Sequence, residues 1–156
     1  MNKKENRGHN AEGNGVPAYL NCDCSFGVSF GHLFDVSKEA SRLQLFQKVF
    51  LARPVWLNMI SSGTIPDKEK LITLLLEAFI TEYMQSGFID GQIMPFRVTQ
   101  GLRIGTQAIC LLALWQSDKE ENYILIAPMP DKQHITRQLC LSPWSVQTLD
   151  FFMNAC

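Results

Sequence analysis

The chain has 156 residues, 46% of them hydrophobic and 19% charged, which is enough to build one domain with a real core and excludes a disordered polymer. Its net charge of −1, from 14 basic and 15 acidic side chains, lacks the basic excess that phosphate neutralisation requires, so no nucleic-acid partner is expected. No apolar run approaches the ~20 residues of a membrane-spanning helix, and no apolar leader follows Met1, so the reading is a cytoplasmic protein without membrane insertion.

Residues 1–15 are rich in Asn, Gly and charge and read as a disordered tail. Residues 16–156 read as a single domain. Within it, residues 16–34 scatter Tyr19, Phe26, Phe30 and Phe34 between Gly and Ser. That pattern suggests an irregular or short extended segment packed on the body.

Helix signals begin at Asp35 and Ser37, either of which can cap a helix. Leu43, Phe46, Val49 and Phe50 then recur at helical spacing. Pro54 breaks that ladder and opens a short helix over residues 54–60. Thr64 and Asp67 match a capping pattern, with Pro66 in the first turn. Leu71, Ile72, Leu75, Leu76, Phe79, Ile80 and Tyr83 make a broad apolar face, and Gly87 supplies a stop. A long core helix is therefore predicted over about 66–86.

After Gly91 the period changes. Residues 93–98 read as a strand, and Pro95 places it at a sheet edge because proline has no N–H for a central ladder. Residues 106–116 are a long apolar stretch, read as a strand, with a buried helix left open as the alternative. Residues 117–122 form a charged turn, and 123–127 form a second strand, completing a β-hairpin. Residues 135–141 alternate as another strand, and Ser142-Pro143 opens a final helix. The expected fold class is α+β: N-terminal helices, a long core helix, a three- to four-stranded antiparallel sheet and a C-terminal helix.

Three chemistries crowd into residues 22–32, CDCSFGVSFGH. Gly27, Ser29 and Gly31 match Gly-x-Ser-x-Gly, with Asp131 and His134 available downstream. A nucleophile elbow needs a buried strand before its serine and a helix directly after it, and neither is legible here. Cys22, Cys24 and His32 could ligate zinc, with His9, His134 or Cys156 as a fourth ligand, but structural zinc sites usually show two paired knuckles. A cysteine nucleophile acting with His134 needs a depressed pKa. Cys110 lies in an apolar run that raises it, and Cys140, two residues before a helix cap, is the better placed. The five cysteines (Cys22, Cys24, Cys110, Cys140 and Cys156) are expected to be reduced. Gly87, Gly91, Gly101 and Gly105 make no phosphate-binding fingerprint. Glu120 and Glu121 read as a solvated turn, and Trp56, Trp115 and Trp144 as core or interface. No residue is assigned as catalytic, cofactor-binding or metal-binding, and no cofactor is expected.

The segment 106–130, TQAICLLALWQSDKEENYILIAPMP, combines an apolar strand, an acidic turn and a strand ending in an Ala-Pro-hydrophobic step. With the preceding helix, residues 66–130 resemble the small type III secretion chaperones. Two features depart from that pattern: 65 residues precede the matching helix, and no second hairpin with a long final helix follows. The resemblance implies a non-enzymatic dimer that holds a partner protein in extended form. The expected function is a protein-interaction module, a chaperone or adaptor that uses a sheet edge and exposed apolar residues. A homodimer is the assembly this allows. The alternative is a small enzyme or zinc protein built on Cys22–His32.

Overall fold

The structure, a computed structural model, describes residues 17–20, 23–61, 67–89, 92–98, 109–118 and 121–129. The tail 1–15, the capping residues Thr64 and Pro66, the strand expected over 135–141 and the helix expected from Ser142 lie outside these residues. The architecture is α+β, with four helices and a five-stranded mixed sheet among the described residues.

A single 3-10 turn, Ala18–Leu20, precedes helix α1, Cys24–Ser29. Strand β1, Leu33–Asp35, follows, then α2, Ser37–Arg42, and β2, Lys48–Ala52. The short helix α3, Arg53–Val55, carries Pro at its start and runs into a π-helical turn, Trp56–Ser61. The long helix α4 spans Lys68–Gln85. Strands β3, Ile93–Val98, β4, Ile109–Ser117, and β5, Asn122–Pro128, complete the sheet in the order β1-β2-β5-β4-β3.

The long helix, the β4–β5 hairpin and the edge position of β3 agree with the sequence reading. Asp67 caps α4, its side chain accepting from the Lys70 N–H at 3.2 Å. Gly87 ends it with φ +70°, its N–H bonding the Tyr83 carbonyl.

Three expectations fail. The helix expected from Asp35 through Phe50 is six residues long and gives way to β2. Its stop is Gln44, at φ +66°. The Gln44 N–H bonds the Ser41 carbonyl and the Leu45 N–H bonds the Ala40 carbonyl, a Schellman closure without the usual glycine. Neither Asp35 nor Ser37 is the capping residue, which is Val36; Asp35 Oδ1 instead accepts from the Ser37 N–H at 2.9 Å. The sheet has five strands rather than three or four, and is mixed rather than antiparallel, because β2 lies parallel to β5, Lys48 opposite Tyr123 and Leu51 opposite Ile126. Parallel strands are buried on both faces, and Val49-Phe50-Leu51-Ala52 and Tyr123-Ile-Leu-Ile-Ala127 are all buried. Finally, residues 24–29, read as part of an irregular or short extended segment, form α1.

Alternation divides the sheet side chains into two cores. Val49, Leu51, Met94, Phe96, Leu111, Ala113, Ile124 and Ile126 face one way. Leu71, Leu75, Leu76 and Phe79 of α4 pack there, together with Val55, Met59 and Ile60. On the opposite face, Phe50, Leu112, Leu114, Tyr123 and Leu125 pack with Cys24 of α1, Tyr19 and Leu20.

Candidate functional site

Two clefts open at opposite ends of the β1–β2 pair, and residues 23–32 contribute to both. The ladder fixes the first. The Arg53 N–H bonds the His32 carbonyl at 3.0 Å, continuing the antiparallel register in which Leu33 faces Ala52. That bond holds His32 and the start of α3 against the 3-10 turn. Pro17, Ala18, Tyr19, His32, Arg53, Pro54, Leu57 and Asn58 line a cleft of about 560 Å³ there. Its walls are mostly apolar, burial pushes the Tyr19 hydroxyl pKa up, and among the described residues no carboxylate lines it.

A ladder of rings leads out of this cleft. Phe26 and Phe30 sit four residues apart on one face of α1 and stack at 4.3 Å, 25° from parallel. Phe26 in turn lies 6.4 Å from the His32 ring at 28°. The other face of α1 buries Cys24 and Gly27, so both phenylalanines point outward, Phe26 49% and Phe30 63% exposed. The sequence reading had both packed on the body. The signal for the true arrangement was their helical spacing, which an extended reading hides. Arg53 was also passed over, because an isolated cation carries no motif.

The second cleft, about 490 Å³, is lined by Asp23, Cys24, Ser25, Val28, Asp35, Lys48, Phe50, Asp118 and Glu121. Lys48 pairs with Glu121 at 2.9 Å, and that bond raises the lysine pKa. The Cys24 thiol is pushed up to about 12, first by burial, then by its hydrogen bond to Asp118 and that carboxylate's charge; a hydrogen bond from Tyr123 opposes this weakly. A thiol so held stays protonated at neutral pH, the opposite of what a nucleophile or a ready ligand needs.

Cys24 faces the acidic cleft and His32 the aromatic one, so they line different sites; Cys22, His9, His134 and Cys156 lie outside the described residues. Among the described residues no three His, Cys, Asp or Glu side chains gather as an ion would require. Ser29 is the exposed last residue of α1, with Asp23-Cys24 rather than a strand before it; Gly31 takes φ +74° just past the helix end. Its proposed partners Asp131 and His134 lie outside the described residues, as does Cys140. Cys110 is disulfide-bonded, which corrects the expectation of five reduced thiols and removes it as a nucleophile. It is half-buried rather than sealed in the core, and spacing along the chain does not report the through-space approach that lets a thiol pair. Glu121 is engaged with Lys48; Glu120, Gly91, Gly101, Gly105 and Trp144 lie outside the described residues. Trp56 and Trp115 pack against the larger core, Trp56 stacked on Phe34 at 4.5 Å with the Lys68 ammonium 5.9 Å from its ring centroid.

Among the described residues, both outer strands of the sheet are poor templates for an added strand. On β3, the Trp115 N–H bonds the Gln92 carbonyl, so alternation turns Ile93, Pro95 and Arg97 outward. Ile93 spends both backbone groups on Ile89, and Pro95 has no N–H to give. The opposite edge, β1, is three residues long and ends in a carboxylate. No helix among the described residues is long and apolar enough to cross a membrane. No family model, no curated protein and no solved structure matches this chain.

Proposed function

We propose that this chain is a non-catalytic protein-interaction module, a chaperone or adaptor that holds a partner protein through side chains. The observation that carries this reading is the outward-facing stack of Phe26 and Phe30 beside the first cleft. Leaving a large aromatic in water forfeits roughly 1.5–3 kcal/mol that burial would return. Leu57, 45% exposed in the wall of that cleft, adds to the apolar surface. Contiguous exposed apolar surface rimmed by polar groups is what protein-binding sites present. Aromatic side chains also dominate binding energy at such sites, because they bury large area at small entropic cost.

The chemistry of the described titratable groups supports the same reading. The Cys24 thiol is held protonated, and Lys48 is committed to Glu121. The contact runs through side chains rather than strand addition, since Ile93, Pro95 and the short β1 leave little edge to pair.

The test places a photoreactive benzoylphenylalanine at position 30 and irradiates cells expressing the full chain. The expected result is a discrete crosslinked adduct with another protein, lost when Phe26→Ser is added. A product crosslinked to a second copy of this chain would make the surface a dimer interface. Absence of any adduct at position 30, with one formed from an exposed position on α4, would sink the proposal.

A further inference from the structure

The two clefts carry opposite charge. The second is lined by four acids and one lysine, already paired. Among the described residues the first is lined by Arg53 and by no acid. Arg53 is exposed; its backbone N–H serves the His32 carbonyl, and no carboxylate lies against its guanidinium among the described residues. Elsewhere Arg42 pairs with Glu69, Lys48 with Glu121, and Lys68 sits near the Trp56 ring. Arg53 thus offers a fork of donors to a mostly apolar cleft that Tyr19, Pro54 and Leu57 also line.

From this charge complementarity we propose that the first cleft takes a peptide segment of the partner in which a carboxylate is adjacent to an aromatic side chain. The carboxylate engages Arg53, and the ring enters between Tyr19, Pro54 and Leu57 or extends the Phe30–Phe26–His32 stack. The cleft volume of about 560 Å³ suits one or two inserted side chains; sites that enclose small groups run ~300–1,000 Å³. A planar guanidinium binds a carboxylate through paired hydrogen bonds, which sets register as well as affinity. A phosphate would also satisfy Arg53. A nucleic-acid strand, however, needs a track of cations, and the described lining of this cleft offers one on a chain of net charge −1.

The proposal rests on the interaction-module reading and is tested separately from it. The probes are three fluorescein-labelled species: a dodecapeptide with a central Asp-Phe pair in Gly-Ser flanks, its Lys-Phe counterpart, and a twelve-residue oligothymidine. Anisotropy titration of the full chain should show saturable binding of the Asp-Phe peptide, about tenfold tighter than the Lys-Phe peptide. Arg53→Glu should invert that preference, and Arg53→Lys should keep its sign with weaker binding. Circular dichroism confirms that each variant is folded. Phe30→Ser should weaken both peptides and leave the preference for Asp in place. Equal affinity for the two peptides, binding of neither, or tighter binding of the oligothymidine would overturn the proposal. If the charge preference is absent while the position-30 crosslink persists, this inference fails and the module reading survives; loss of the crosslink as well removes both.

Discussion

Truncating Phe30 separates a side chain kept for packing from one kept for contact. Phe30 is 63% exposed, so it has withdrawn about a third of its surface from water. Full burial of such a side chain is worth roughly 1.5–3 kcal/mol, which leaves about 1 kcal/mol for Phe30. Its stack on Phe26 at 4.3 Å adds about 0.5–1.5 kcal/mol. Phe30→Ala should therefore lower stability by about 1–2 kcal/mol. Phe79 supplies the contrast: it is fully buried, with Tyr83, Phe88 and Phe96 rings at 6.0, 6.4 and 5.7 Å. Phe79→Ala removes those contacts and opens a cavity, at a cost of about 3–5 kcal/mol. Urea denaturation followed by circular dichroism measures both, provided the slope stays constant so that the midpoint alone moves. A Phe30→Ala loss matching that of Phe79→Ala would mean that the ring is structural. The argument that α1 displays it for a partner would then fall.

The Cys24 thiol gives a pH prediction. Its pKa rises from 9.0 to about 12 on folding, so above pH 9.0 the unfolded chain gives up a proton that the folded state retains. The stability contributed by this group is intact below pH 9.0 and is lost progressively as pH climbs towards about 12. Cys24→Ala should therefore lose stability less steeply with rising pH over that window, read as the urea midpoint at successive pH values; slopes identical to the parent would refute the assignment. Pro95 gives a prediction about association. Alternation turns residue 95 away from β4, so Pro95→Val leaves the β3–β4 ladder intact and adds an outward donor. Stability should change by less than about 1 kcal/mol, while light scattering over a concentration series shows more self-association. An unchanged molecular mass would show that the missing donor does not guard this edge.

Some elements were legible because their signals are local. The apolar face of α4, its Asp67, and Gly87 each report on the few residues around them. Pro95 marked an edge because a central strand would need the N–H it lacks. The parallel pairing of β2 with β5 joins Lys48 to Tyr123, 75 residues apart, and leaves no alternation because both faces are buried. Leu43, Phe46, Val49 and Phe50 then mimic a helical phase across the turn at Gln44, where glycine would normally mark the stop. The site was harder to see for a related reason. His32 and Arg53 are brought together by β1–β2 pairing, so without β2 there is no cleft to predict.

The same pairing bears on how a partner can be held. In chain order α4 leads through β3 to the β4–β5 hairpin. Here β5 is an interior strand: β2 lies along one side and β4 along the other, so no edge of the hairpin's second strand is open to a guest. Closing β5 with β2 brings Ala52, and with it Arg53 and Pro54, to the end of the sheet where β1 begins at Leu33. The pairing of β2 that closes β5 thereby also places residues of the cleft that offers side-chain contact. A partner whose binding survived Arg53→Glu and Phe30→Ser but was lost on Pro95→Val would have to engage the β3 edge, and would reverse this order of preference.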